Sequence, residues 1–472
     1  MRHLSALDAL FLQLETPETP MHVGSLMLLE PPPGRSRKDA HAAIRKHLAS
    51  RIHLAPVFTR KLAFLPADIG SPAWLHAGPT DLDYHVRRMR LPSPGSESQL
   101  DAAVARLHEE RLDRSRPLWQ VTVIEGLANG RIGYYSKVHH AALDGQGGIA
   151  VAQAILDTTP KTGARPGPGP GLAPVSGRLP PTMAKLLGSA LRHTVAQYGR
   201  IVKSLPETVA AVVRGGAVAL TSGELRKRGL ATGPRTRLNA AIGRERVFAT
   251  ARIPLAEAKA IARHYDAKLN DAVLAICAGA LRRQFARDRK ALAKAMIGAV
   301  PVSLRAPGDT TAANNVSMML ISLATQVADV RKRMAAIVAA STRAKRLTGS
   351  MKGAIPTDLP SLGLPWLMAR IAPLYRQAVT AERIPVIANL AISNVPGPQV
   401  PLYLAGMKLE SYYPVSIVTH GLGLNVTIVS YDGSLDFGIV AAKSALPGVR
   451  GFARHIEAAH RELMKTIGRE RG

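Results

Sequence analysis

The residues that invite a chemical reading are two adjacent histidines, followed at short range by a carboxylate and a cluster of glycines: His139-His140-Ala-Ala-Leu-Asp144-Gly145. Imidazole titrates near neutrality, which suits a general base that takes a proton from a hydroxyl. The doublet closes an alternating run, Ile132 to His139, that reads as a strand. Successive strand residues point to opposite faces, so only one histidine can face an active cavity and the two cannot readily chelate one metal ion. No Cys or His cluster lies nearby to complete a metal site. Two buried, hydrogen-bonded structural histidines are the competing reading. Asp144 falls in the turn beyond the strand, where it could fold back to orient an imidazole or pair with a remote cation. Gly145, Gly147 and Gly148 permit close backbone approach and a sharp start to the next helix. No Gly-x-Ser-x-Gly elbow appears, and Cys277 sits in an apolar run with no sign of activation, so a covalent acyl-enzyme is not favoured.

The elements that must position this segment follow from periodicity. Val23 to Leu29 reads as a buried strand, Lys38 to Arg51 and Ser98 to Arg111 as helices, and Trp119 to Ile124 as a strand. The turn Ala128 to Arg131 joins that strand to the histidine strand as a hairpin, and a helix runs from Gly147-Gly148 to Leu156. Leu255 to His264 and Asn270 to Arg283 are expected as helices, the second opened by an Asn270-Asp271 cap. Ala295 to Leu304 contains a strand, and Asp432-Gly433 joins Leu424 to Tyr431 with Leu435 to Val440 as a second hairpin.

A chain of 472 residues is too long for one ordinary core. Three segments are expected: an α/β domain over residues 1–160, a linker over 161–235 and a second α/β domain over 236–472. The linker opens with Pro and Gly alternation and continues, from Met183 to Arg214, as an amphipathic helical pattern. It holds twelve Lys/Arg against Glu207 and Glu224, so it is the local candidate for an anionic membrane surface; a basic solvent face is the alternative. The whole chain carries a formal net charge of +29, but no zinc module, reading helix or interleaved aromatics favour nucleic acid. A single cysteine allows no internal disulfide, and no apolar stretch approaches the roughly 20 residues of a spanning helix. A cytoplasmic protein, at most peripherally bound to a membrane, is expected.

The histidine segment resembles the HHxxxDG signature of the coenzyme A-dependent acyltransferase and condensation superfamily. Other blocks narrow the resemblance to the bacterial bifunctional wax ester synthase/diacylglycerol acyltransferase family. They are Leu7-Asp8-Ala-Leu-Phe-Leu, Pro20-Met-His-Val-Gly24, Pro117-Leu-Trp119, Asn270-Asp271-Ala-Val-Leu-Ala, Pro301-Val-Ser-Leu-Arg305, Asn314-Asn315-Val-Ser, Ile392 to Pro398 and Tyr413-Pro-Val-Ser-Ile. They come in family order and span nearly the whole chain. The resemblance implies two chloramphenicol-acetyltransferase-like α/β domains with the active-site channel at their interface. It implies acyl-coenzyme A as co-substrate, no resident cofactor and no metal, with a fatty alcohol or diacylglycerol as acceptor. His140 would be the general base and the alcohol would attack the thioester directly. His139 would support the loop, Asp144 would be structural with Arg305 as its partner, and Asn270 would be a polar contributor near the reaction centre or a plain N-cap. Peripheral association with membrane or lipid droplet and a monomeric or homodimeric state are further expectations. A condensation-type or polyketide-linked enzyme using a carrier-bound donor, and a catalytically silent lipid-binding protein of the same fold, are the alternatives.

Overall fold

The computed structural model describes residues 2–32, 39–64, 72–143, 147–161, 163, 232–303, 316–350, 377, 379–380 and 385–468. The interdomain basic stretch, the expected helix from Met183 to Arg214, and Asp144, Gly145, Arg305, Asn314 and Asn315 lie outside the described residues.

The chain opens with β1 (Arg2–His3) and α1 (Ala6–Leu14), whose N-terminus is capped by Ser5, its Oγ accepting the Asp8 N–H. Then come β2 (His22–Glu30), α2 (Ala40–Ala49), β3 (Arg60–Ala63), β4 (Ala73–His76), α3 (Leu82–His85), β5 (Val86–Arg90) and α4 (Glu97–Glu109). Ser96 and Gln99 cap α4 reciprocally, the serine through its side chain and the glutamine by reaching back to the Ser96 N–H. The hairpin β6 (Trp119–Glu125) and β7 (Ile132–His139) leads into a short 3-10 turn, His140–Ala142, and α5 (Gly147–Ile155). The second half holds β8 (Arg246–Pro254), α6 (Leu255–His264), α7 (Leu269–Gln284), β9 (Ile297–Ser303), β10 (Val316–Ser322) and α8 (Val330–Ser350). It ends with β11 (Leu390–Pro396), β12 (Tyr403–Leu404), β13 (Met407–Val415), β14 (Leu424–Tyr431), β15 (Ser434–Ala442) and α9 (Val449–Gly468).

Two six-stranded sheets organise these elements, with strand orders β12-β13-β2-β7-β6-β5 and β10-β9-β11-β14-β15-β8; β1, β4 and β3 form a small third sheet. The expected two-lobed α/β architecture is therefore present, with one exchange. β12 and β13 belong by sequence to the second half, yet β13 pairs antiparallel with β2 and β12 with β13, so both extend the first sheet. Both expected hairpins form. At the second, Asp432 (φ 41°) and Gly433 (φ 81°) both adopt positive φ, as a two-residue type I′ turn requires.

The inward face of the first sheet follows strict alternation. His22, Gly24, Leu26 and Leu28 on β2 lie opposite His139, Lys137, Tyr135 and Gly133 on β7, so all eight share one face. That face joins the main core: Leu26, Leu28 and Tyr135 pack in one cluster with Phe248, Leu424, Phe437 and the helices of the second lobe. The opposite face, with Met27, Leu29, Tyr134 and Val138, packs with α2 and with Leu404, Met407 and Leu409. Gly24 is required sterically, because a Cβ there would fall 2.3 Å from the Ser136 carbonyl oxygen across the ladder.

Polar contacts hold the lobes together. The Arg246 N–H donates to Glu109 Oε1 at 2.7 Å and its guanidinium reaches the Glu18 carbonyl. Arg450, at the start of α9, pairs with Asp101 of α4 at 3.3 Å. Asp436 of β15 accepts the Tyr412 N–H of β13 at 2.8 Å and pairs with Arg252 at 3.1 Å. The sequence places a cap at Asn270-Asp271, and the structure corrects this. The helix starts one residue earlier, at Leu269, with Lys268 as N-cap and Asp271 Oδ2 accepting the Lys268 N–H at 3.1 Å. Asp271 at the third helical position can reach back to that amide, which Asn270 inside the first turn cannot.

Candidate active site

The histidine doublet sits where β7 ends between two neighbouring strands, and each backbone amide is tied to one of them. The His139 N–H donates to the Leu118 carbonyl at 3.0 Å and the His140 N–H to the Met21 carbonyl at 2.8 Å. Two blocks that resemble family motifs, Pro117 to Trp119 and Pro20 to Gly24, therefore supply the acceptors that fix the doublet. Leu118 also buries its side chain against Ala141 of the 3-10 turn.

The two imidazoles have different surroundings. His139 is fully buried, with Nδ1 hydrogen-bonded and Nε2 facing a carboxylate. Nδ1 accepts the Ala141 N–H at 3.1 Å, which places the ring proton on Nε2. Nε2 faces Glu15 Oε1 at 3.5 Å, an ion-pair distance longer than a good hydrogen bond. Glu15 immediately follows α1 and is itself buried. Arg114 donates to its Oε2 through Nε (3.2 Å) and Nη2 (2.8 Å), and the Met21 N–H donates to Oε1 at 3.2 Å. Burial alone would raise the Glu15 pKa, but His139 and Arg114 outweigh it and hold the carboxyl down to about 2.

His140 is only partly buried, and its Nδ1 has no partner among the described residues. Its ring lies flat on Phe11 of α1, centroids 3.8 Å apart and planes 20° from parallel. Burial pushes its pKa down to about 4, and any positive charge on His139 acts in the same direction. His140 is accordingly held as a neutral imidazole at pH 7.

Further buried basic groups lie along the same sheet face. Lys137 is 2 % exposed, with Nζ donating to the Leu107 and Glu110 carbonyls at the end of α4, where helix carbonyls lack intrahelical partners. Its burial lowers its pKa to about 8. His22 contacts the His108 carbonyl through Nε2 at 2.8 Å, and His108 in turn contacts Tyr135 Oη at 2.8 Å and the Ser416 carbonyl at 3.1 Å. Burial drives His108 down to about 3 and His22 well below its ordinary value. The His108–Ser416 contact places the chain just after β13 beside this histidine network.

Sequence reasoning finds His139 and His140 but not Glu15, Arg114 or Phe11, which the fold brings to them. Asn270, the second residue of α7, is half-buried, and no hydrogen bond ties it to either histidine. Among the described residues no group of His, Cys, Asp and Glu has the geometry of a metal site.

Comparison with known proteins decides the family. The model for the wax ester synthase/diacylglycerol acyltransferase catalytic domain matches residues 4–273, and that for the WS/DGAT C-terminal domain matches residues 312–464. The chain belongs to the wax ester synthase/diacylglycerol acyltransferase family. A putative diacylglycerol O-acyltransferase of Mycobacterium tuberculosis is 35% identical over 98% of this acyltransferase and 100% of the relative. A second, probable diacylglycerol O-acyltransferase of that organism is also 35% identical, over 98% of each chain. Among solved structures, the wax ester synthase/diacylglycerol acyltransferase from Marinobacter aquaeolei VT8 superposes with a TM-score of 0.70 at 28% identity, covering 99% of this chain and 100% of that one. The first condensation domain of the calcium-dependent antibiotic synthetase shares the fold, with a TM-score of 0.56 at 14% identity over 98% of this chain and 96% of that one. The family catalytic domain holds the histidine doublet, while the division at 273 falls inside α7.

Proposed function

We propose that this acyltransferase moves a fatty acyl group from coenzyme A to the hydroxyl of diacylglycerol or of a long-chain alcohol, with His140 as general base. The observation that carries the assignment is the asymmetry of the doublet. His139 is fully buried, accepts the Ala141 N–H at Nδ1 and turns Nε2 toward Glu15, whereas His140 is only partly buried, its pKa is lowered to about 4, and its Nδ1 has no partner among the described residues. In the proposed step the His140 imidazole takes the hydroxyl proton as the oxygen forms a bond to the thioester carbonyl carbon. The tetrahedral intermediate then collapses, the C–S bond breaks, and the departing sulfur takes the proton back to leave coenzyme A as the thiol. No acyl-enzyme forms. Cys277, the one thiol of the chain, is fully buried and pushed up to about 12, a state unsuited to nucleophilic attack.

His139 holds the loop through Ala141 and Glu15. Asp144 keeps the structural role that the family resemblance implies, with Arg305 as its partner; Gly145 allows close backbone approach, and Asn270 has a polar role near the reacting groups. Acceptor and acyl donor are tested together by incubating the purified chain with palmitoyl-coenzyme A and either diacylglycerol or hexadecanol, reading free thiol release and the ester formed. Turnover with neither acceptor, or only with a carrier-bound donor, overturns this reading in favour of a condensation-type enzyme. Among the described residues no helix is long and apolar enough to cross a membrane. Peripheral attachment through the basic 161–235 stretch is the proposed route to lipid substrates. It predicts binding to anionic vesicles that weakens as salt rises.

A further inference from the structure

α1 touches both members of the doublet, and the spacing explains how. Phe11 and Glu15 are four residues apart, so they project from the same side of the helix and its immediate end. Phe11 covers the ring of His140 while Glu15 faces Nε2 of His139. The helix is fastened independently of either contact. Ala9 and Leu12 are buried in a small apolar cluster with Leu4, Leu62, Leu112 and Leu118, and Arg114 Nη2 donates to the Leu12 carbonyl at 2.7 Å. Phe11 packs at the rim of that cluster, where its remaining face contact is the imidazole.

We infer that Phe11 is a positioning residue for the reaction: its ring fixes the plane of His140, keeps water off one face, and stabilises the imidazolium formed during proton transfer. The inference rests on the proposed role of His140 as base. A histidine on a short 3-10 turn can rotate about χ1 and χ2, and a misplaced base loses much of its advantage, by up to about 100-fold for displacements near 1 Å. A flat aromatic partner 3.8 Å away removes that freedom without consuming a ring nitrogen. The negative face of the phenyl ring attracts a cation more than a neutral ring, so the contact strengthens as His140 gains its proton. Leucine in place of Phe11 keeps the ring covered but removes this attraction, so the imidazolium is less favoured and the His140 pKa falls further.

The test compares Phe11→Leu, which keeps apolar volume but lacks a π face, with Phe11→Tyr, which restores it. Each is assayed over pH 3.5–8 with palmitoyl-coenzyme A and the preferred acceptor, alongside melting temperature. Phe11→Leu is expected to lose about 10-fold in kcat, with KM for palmitoyl-coenzyme A within about twofold. The acid limb of its kcat/KM profile should move to lower pH, and Phe11→Tyr should restore both rate and limb. A Phe11→Leu protein that melts like the parent and keeps its kcat overturns the inference, as does a rate loss with an unmoved acid limb or one that Phe11→Tyr fails to restore. His140→Ala separates the two levels. If that variant is near-normal, the assignment of the base has failed; if it is inactive while Phe11→Leu is unaffected, only the role of Phe11 has.

Discussion

β7 and β14 occupy corresponding places, each fourth in a six-stranded sheet and each half of a hairpin, yet their buried polar residues differ in kind. β14 holds neutral groups that satisfy one another: Asn425 donates to the Ile417 carbonyl and Thr427 donates to Asn425 Oδ1. β7 holds Lys137 and His139, and its neighbours add His22, His108 and Glu15, all buried. Burying ionisable groups is costly unless each finds a partner, so the first lobe spends its packing on fixing charges and protons. In the second lobe α7 packs against α9, α8, α6 and β11 almost wholly through Ala, Val, Leu, Ile and the inert Cys277. The comparison teaches that buried histidines and a buried lysine gather on and beside β7, while its counterpart β14 carries only neutral polar groups.

The largest expected effect is on that first face. His140→Ala should lower kcat by roughly 100- to 10,000-fold, the usual range for loss of a general base, with the melting temperature little changed. Near-normal turnover in a folded variant removes His140 from the chemistry and with it the contrast between the strands. Next, Glu15→Ala should destabilise the protein by about 2 kcal/mol, since it removes the buried carboxylate that accepts from partly exposed Arg114 and faces buried His139; urea titration reads this directly. The linkage sign is fixed by the depressed carboxyl. The Glu15 contribution is fully present above its unfolded value near 4.5 and is lost as pH falls toward about 2. Acid denaturation should therefore be shallower at low pH in Glu15→Ala than in the parent. A third prediction is a kcat/KM profile flat from about pH 5 to 8 and falling tenfold per unit below about 4, because His140 must be unprotonated to act. An acid limb near the ordinary histidine value of about 6.5 would mean that the ring is less buried than described. The smallest effect belongs to the second lobe. Cys277→Ala should cost about 1 kcal/mol through lost packing and leave kcat unchanged, and the parent thiol should resist alkylation until the protein unfolds.

The strands and helices were legible because their signals are local. Alternation around Trp119 to Ile124 and Ile132 to His139, and the Asp432-Gly433 turn, need only neighbours in sequence to specify them. The doublet was legible as a candidate pair, but its unequal surroundings come from the end of the strand: His139 closes β7 and His140 begins the 3-10 turn, so strand alternation does not by itself set the second ring. Glu15 and Phe11 were not legible as site residues. Glu15 meets Arg114 across 99 positions and His139 across a sheet, and nothing in Leu-Phe-Leu-Gln-Leu-Glu announces either contact. The place of β13 was hidden for the same reason, since register between distant strands is set by tertiary packing. The Asn270-Asp271 cap was misplaced by two residues because a carboxylate at the third helical position gives the same local signature as a cap.

That borrowed strand has a further consequence for how the protein is made and handled. Until residues 407–415 leave the ribosome, β2 is an open edge whose Leu26, Met27, Leu28 and Leu29 have unpaired amides and carbonyls beside them. A chain cut after the first lobe would carry that adhesive border permanently, and it should be recovered in inclusion bodies, whereas supplying the missing segment in trans should rescue it. The two halves are stitched rather than docked, and neither is a module that can be shuffled alone.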